Sequence, residues 1–168
     1  ERIMALCGEY GKELFLETLE GLLDHSEILT RQALEAIPDG TYSFTGYIDN
    51  DGVEFDRQIV LKLKVTIEGS DILFDFTGSS PQTKGPINCV KACTLSTVDY
   101  AVKVVTGGEA IPTNDGCFRM IRCIMPEGTV VNATKPAATG SRGLTVQLLS
   151  STCLGALAKA KPEMINAC

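Results

Sequence analysis

The residues best placed to do chemistry lie in one stretch, Phe76-Thr77-Gly78-Ser79-Ser80-Pro81-Gln82-Thr83-Lys84-Gly85-Pro86-Ile87-Asn88. It is expected to run from a strand end to a helix start, with Asn88 as the N-cap. Backbone N–H groups at a helix start attract anions. Gly78 and Gly85 permit close backbone approach. Hydroxyls at Ser79 and Ser80, amides at Gln82 and Asn88, and the ammonium of Lys84 make these five the candidate substrate-binding residues. Arg119 and Arg142 follow, because guanidinium forks suit carboxylates and phosphates. Asp75 is a further polar candidate at the strand end. The same composition also describes an ordinary turn-rich connection.

No catalytic residue can be named. There is no Walker loop, dinucleotide fingerprint or nucleophile elbow. His25 is the sole histidine, and nothing around it suggests a triad. Asp49-Asn50-Asp51-Gly52 fails as a calcium loop: aligning Gly52 with the turn glycine puts Tyr47 and Gln58 at the first and last ligand positions. It reads as a turn. Seven cysteines are an odd number, and most sit in apolar stretches as small core residues. Neither Cys89/Cys93 nor Cys117/Cys123 has the short spacing of a zinc site, so no metal is assigned.

The elements that must position these residues follow from periodicity. Residues 10–37 are expected to form one long helix, with Phe15, Leu19, Leu22, Ser26, Leu29, Ala33 and Ala36 on a single stripe. Pro38-Asp39-Gly40 ends it. A strand over residues 41–48, the alternating run Ile59, Leu61, Leu63, Val65, Ile67, and a return over Ile72–Phe76 predict an antiparallel meander with one wet face. Leu95, Val98, Ala101, Val102 and Val105 predict a helix ended by Gly107-Gly108. Two short strands are expected near Phe118–Ile124 and Thr129–Asn132. A last helix over about Leu144–Ala160 is expected to bury Leu149, Cys153, Ala156, Leu157 and Ala160. The fold class is α/β of the α+β type: an antiparallel meander flanked by helices, with a long N-terminal helix. The chain divides into a helical part (1–37), a meander (38–77) and a mixed part (78–168).

Composition sets the outer limits. With 44% hydrophobic and 21% charged residues, the chain is too apolar for disorder and ordinary for a folded domain. The charge is uneven. Residues 1–83 hold six basic and sixteen acidic side chains, a net of −10; residues 84–168 hold nine and five, a net of +4. The acidic half argues against nucleic acid as the main partner. No apolar run reaches the ~20 residues of a membrane span, and no signal peptide is read. Glu1 opens directly on a helical pattern and Cys168 follows an apolar helix, so the chain is expected to be an interior segment of a longer, cytoplasmic subunit.

A series of short motifs, in order along nearly the whole chain, resembles the hydantoinase B/oxoprolinase family. They are Pro38-Asp39-Gly40-Thr41-Tyr42, Asp75-Phe76-Thr77-Gly78-Ser79-Ser80-Pro81-Gln82 and Gly85-Pro86-Ile87-Asn88. Ile111-Pro112-Thr113-Asn114-Asp115-Gly116-Cys117-Phe118-Arg119, Pro126-Glu127-Gly128-Thr129, Lys135-Pro136-Ala137-Ala138 and Leu154-Gly155-Ala156-Leu157-Ala158 complete the series. Asp115 stands where Glu is expected, and Ser151-Thr152 replace an acidic position, which marks a divergent branch. The resemblance implies hydrolysis of cyclic amides such as hydantoins or 5-oxoproline, by way of a phosphorylated carbonyl or enol oxygen. The alternatives are the homologous subunit of a ketone carboxylase, or a segment that only packs the subunit. It also implies ATP and Mg2+ held by an A-type partner subunit or domain within an oligomer. A divalent metal, where the family has one, is expected on residues outside this segment.

Overall fold

The alternating run becomes the central strand of a four-stranded sheet in the computed structural model, which describes residues 1–107 and 110–164. Strands β1 (Gly40–Ile48), β2 (Ile59–Glu68) and β3 (Asp71–Asp75) form the expected antiparallel meander. Ile59, Leu61, Leu63, Val65 and Ile67 are buried on one face, while Lys62, Lys64 and Glu68 stand exposed on the other. The fourth strand, β4 (Ile121–Ile124), adds to the edge of β3 in parallel. A parallel neighbour needs a crossover connection, and helix α3 (Lys91–Val105) lies in it. Sheet order is β1-β2-β3-β4.

Helix α4 (Arg142–Leu157) covers the apolar face of β1 and β2, and α3 packs on α4. The core joins Leu61, Val65 and Phe74 from the sheet to Val98 and Val102 of α3 and Leu149, Cys153 and Leu157 of α4. The α4–β1 approach is close because glycines sit at the crossing. A Cβ on Gly155 would lie 2.7 Å from the Phe44 ring, and one on Gly46 would lie 2.6 Å from Thr152 Oγ1. Among the described residues, Thr152 Oγ1 is buried without a hydrogen-bond partner.

Several boundaries differ from the sequence expectation. The long helix is two, α1 (Arg2–Tyr10) and α2 (Lys12–Glu35), broken at Gly11, whose φ of 83° leaves the helical region. The expected stripe is buried only in part. Of its members only Ser26 is buried, and Leu19, Leu22 and Ala36 are exposed, while Thr30 and Leu34, which lie off the stripe, face the core. The two buried hydroxyl residues tolerate burial because each donates to the carbonyl four residues back, Ser26 to Leu22 and Thr30 to Ser26. Asn114 Nδ2 also donates to Ser26 Oγ, docking the 3-10 turn Asp115–Phe118 against α2. That turn takes the place of the start of the strand expected from Phe118, leaving β4 only from Ile121. Residues 129–132 form isolated bridges, Pro81 with Thr129 and Thr129 with Asn132, not a strand. Helix α4 begins two residues before the expected Leu144 and ends at Leu157, so Ala160 packs against the core from beyond it. Gly107 follows α3 as expected, while Gly108 and Cys168 lie outside the described residues.

Candidate functional site

Three loops converge at one end of the sheet: residues 49–58 between β1 and β2, residues 76–90 between β3 and α3, and residues 133–141 before α4. Asp51 links the first two. Its carboxylate accepts N–H bonds from Val53 (2.9 Å) and Glu54 (2.6 Å) in its own loop and from Gly85 (2.8 Å) across the gap. The Glu54 N–H contributes most to holding the Asp51 carboxyl below its ordinary value; burial opposes it, and the Gly85 and Val53 donors add to the lowering. Gly85 is required here, since a Cβ would collide with the Asp51 carbonyl oxygen.

Asn88 links the second and third loops. It does not cap α3, which starts at Lys91 after Val90 with no side-chain cap. Completely buried, its Nδ2 donates to the carbonyls of Thr83, Gly85 and Ala138, and its Oδ1 accepts from the Thr83 N–H and hydroxyl. Gln82 repeats the pattern nearer the surface. Its amide donates to the carbonyls of Thr134 and Pro136 and accepts from Thr134 N. Ser141 N donates to the Pro86 carbonyl at 2.8 Å.

Ser79 and Ser80 do different work from the sequence expectation. Beyond Asp75, β3 no longer pairs with β2, and their hydroxyls replace the missing strand. Ser79 Oγ accepts from Lys62 N, and Ser80 Oγ accepts from Val60 N. Lys84 remains at the surface, with Nζ 2.7 Å from Glu54 Oε1. The Glu54 carboxylate beside it raises the Lys84 pKa, and Lys84, followed by Arg57, lowers that of Glu54. Arg142 sits at the start of α4, exposed, donating to the Thr139 carbonyl. Arg119 lies elsewhere. Its guanidinium is shared among Glu20, Asp24 and Glu27 of α2, which raise its pKa and leave no free fork for an anion. Asp75 faces Lys64 and the Thr77 N–H; burial pushes its pKa up, but these partners outweigh it and leave it lowered.

The structure thus gathers Gln82, Lys84 and Asn88 into one three-loop unit, with Arg142 just beyond it at the start of α4, places Ser79 and Ser80 against β2, and separates Arg119. Between the second and third loops lies an open cleft of about 410 Å³, lined by Gln82, Thr83, Lys84, Pro136, Ala137 and Ala138. Among the described residues, the backbone N–H groups of Lys84, Ala137 and Ala138 make no protein hydrogen bond. Unspent amides among lining residues suit a concavity to an anion, while the Lys84 ammonium beside them is paired with Glu54 at 2.7 Å. A larger hollow of about 610 Å³ borders β4, lined by Thr66, Leu73, Arg122 and Ile124 among others, but none of the three loops reaches it. Asp51 and Glu54 are the residues the sequence reading missed. Both stand in a segment whose composition signals only a turn, and no periodic pattern marks a carboxylate that folds back under the next loop.

A mixed sheet crossed by one helix, with glycine-bearing loops locked together by buried side chains, defines an α+β segment. The chain belongs to the hydantoinase B/oxoprolinase family, whose profile matches residues 1–168. It is 32% identical over 99% of its length to a putative D-/L-hydantoinase B-type subunit of Pseudomonas sp. (strain NS671), covering 30% of that protein. A 5-oxoprolinase of Dictyostelium discoideum is 27% identical over 90% of this chain and 12% of its own length. Among solved structures, the ATP-dependent caprolactamase from Pseudomonas jessenii superposes with a TM-score of 0.83 at 25% identity, over 98% of this chain and 28% of that one. An acetone carboxylase shares the fold, with a TM-score of 0.77 at 19% identity over 94% of this chain and 22% of its own. The chain therefore spans less than a third of each of these relatives. Among the described residues, no helix is long and apolar enough to cross a membrane.

Proposed function

We propose that this chain is part of the B-type subunit of an ATP-dependent cyclic amide hydrolase, one that opens hydantoin or 5-oxoproline rings in the cytoplasm. The observation that carries this reading is the near-complete alignment to a B-type hydantoinase relative. Likeness to a lactam-opening enzyme at 25% identity supports it. The ketone carboxylase alternative rests on fold alone and gains no residue-level support.

The residues here do not fit a metal. Among those described, no three His, Cys, Asp or Glu side chains are grouped to hold one, and the Asp51 oxygens are already taken by backbone N–H groups. In this reading ATP and Mg2+ belong to an A-type partner subunit or domain, as the family resemblance implies, and no step of this chain runs through them. What the chain supplies is the cleft. Asp51, Gln82 and Asn88 fix its walls, while Lys84 and the unspent amides hold the carboxylate or other anionic group of the bound intermediate. Arg142, exposed at the start of α4, is not among the residues that line the cleft.

The test compares Lys84→Met with Ser80→Ala in the family-length enzyme assembled with its ATP-binding partner. A hydrogen bond to a charged ligand is worth about 1.5–3 kcal/mol, so Lys84→Met is expected to cut turnover by roughly 10- to 150-fold. An exposed ion pair contributes little to folding, so its melting temperature should hardly move. Ser80→Ala removes the acceptor for Val60 N and is expected to lower stability with little kinetic effect. Wild-type turnover in Lys84→Met would remove the cleft from the reaction.

A further inference from the structure

Lys84 lines the cleft, yet its charge is spent on a neighbour outside it. Its Nζ stands 2.7 Å from Glu54 Oε1, and Glu54 belongs to the 49–58 loop and is not among the lining residues. The pair is built into the backbone. Asp51 accepts the Glu54 N–H at 2.6 Å and the Gly85 N–H at 2.8 Å, so one buried carboxylate fixes the chain beside both members. Glu54 also has a second cation. Arg57 Nη1 lies 3.1 Å from Oε2, and Arg57 N donates to the Glu54 carbonyl, closing a turn within the loop. The two carboxylate oxygens thus go to different cations.

We propose that Glu54 is the resting counter-ion of the cleft: an anion arriving at the unspent amides takes Lys84 from Glu54 Oε1, and Glu54 keeps Arg57. This rests on the cleft reading given above. The lysine is the member that moves, since its side chain is 74% exposed and that of Glu54 only 30%. The exchange is easy because water and salt already weaken an exposed pair. It leaves no charge bare, as Lys84 gains the ligand and Glu54 retains Arg57. When the anion departs, Glu54 takes the ammonium back. The cleft therefore holds its anion less tightly than its amides and a free ammonium would, which favours release. Glu54 acts through Lys84 and is a positioning residue.

The test is calorimetric titration of the family-length enzyme assembled with its ATP-binding partner, without ATP so that no ring opens. The probes are 5-oxoproline and pyrrolidone, the same ring without the carboxylate. Glu54→Gln is expected to bind 5-oxoproline roughly two- to five-fold tighter, the worth of an exposed ion pair, with pyrrolidone unchanged. Damage to the fold weakens binding, so tightening separates the exchange from a structural role. Arg57→Met leaves Glu54 to Lys84 alone and should weaken 5-oxoproline by a similar factor. Lys84→Met should weaken it too, and adding Glu54→Gln to that variant should change nothing further.

Glu54→Gln that binds 5-oxoproline no tighter than the wild type, or tightens it equally without Lys84, would overturn the exchange and leave the cleft standing. Arg57→Met that binds as well as the wild type would overturn it as well. A wild type that prefers 5-oxoproline no more than pyrrolidone, or a Lys84→Met that binds it undiminished, would remove the cleft reading and the exchange with it.

Discussion

Asp51 and Asn88 hold the three loops together by different means, one as a charged acceptor and the other as a neutral hub. The Asp51 carboxyl lies below the ordinary carboxylate value of about 4, first through the Glu54 N–H, with Gly85 and Val53 helping against burial. A lowered folded pKa adds stability that is fully present above the unfolded value and is lost as pH falls through the folded one. Asp51→Asn is therefore expected to cost about 1.5–3 kcal/mol at pH 7 and to remove part of the acid-side loss. Urea titrations at neutral pH and below the carboxylate range check both; equal stability at neutral pH would contradict the role. Asn88→Ala strands a buried set of carbonyls and should cost roughly 3 kcal/mol, more than the ~1 kcal/mol of a lost helix cap. Thiol chemistry follows burial. Desolvation raises Cys89 to about 11 and Cys123 to about 12, and Cys117 and Cys153 are buried. In the folded chain, Cys7 and Cys93 should alkylate first. Among the described residues Cys7, Cys89, Cys93, Cys117, Cys123 and Cys153 are free thiols, so after denaturation all seven cysteines in the sequence should be modified without reduction, and a protected pair would contradict this.

Period-two alternation made β2 legible from the sequence, because one face is wholly buried and the other wet. Helix α4 was legible through Leu149, Cys153 and Leu157, which are buried as expected. Helix boundaries were less so. Gly11 breaks α1 from α2 through its backbone conformation, which the apolar stripe does not record. The burial of Ser26 and Thr30 depends on i−4 hydrogen bonds and on Asn114, more than eighty residues away. The parallel β4 was missed as such because pairing direction depends on a crossover, not on local pattern. At this scale the sharpest prediction concerns the α4–β1 crossing. Gly155→Ala places a methyl 2.7 Å from the Phe44 ring, and overpacking of this kind costs about 1–3 kcal/mol. Gly143→Ala, with nothing within 4 Å of the added methyl, should be neutral or stabilising. Melting curves of the two variants compare them directly, and a Gly155→Ala as stable as the wild type would mean the helix can withdraw from the sheet.

For the molecule as a whole, family membership was legible because short motifs recur in order over nearly the full chain, and the profile match over residues 1–168 bears it out. The candidate site was legible only in outline. Gln82, Lys84 and Asn88 do meet in one unit, but Asn88 and the serines turned out to tie the backbone together, and Arg119 pairs with α2. Such roles depend on which loops meet in space, and residue type alone does not reveal that. The central claim is that the parent enzyme opens cyclic amides. Its most direct test is product analysis of the assembled, family-length enzyme with ATP, supplied with hydantoin, 5-oxoproline or a lactam and no bicarbonate. The account predicts a ring-opened acid formed in step with ADP. Failure to open any of these rings, together with bicarbonate-dependent carboxylation of a ketone, would contradict it.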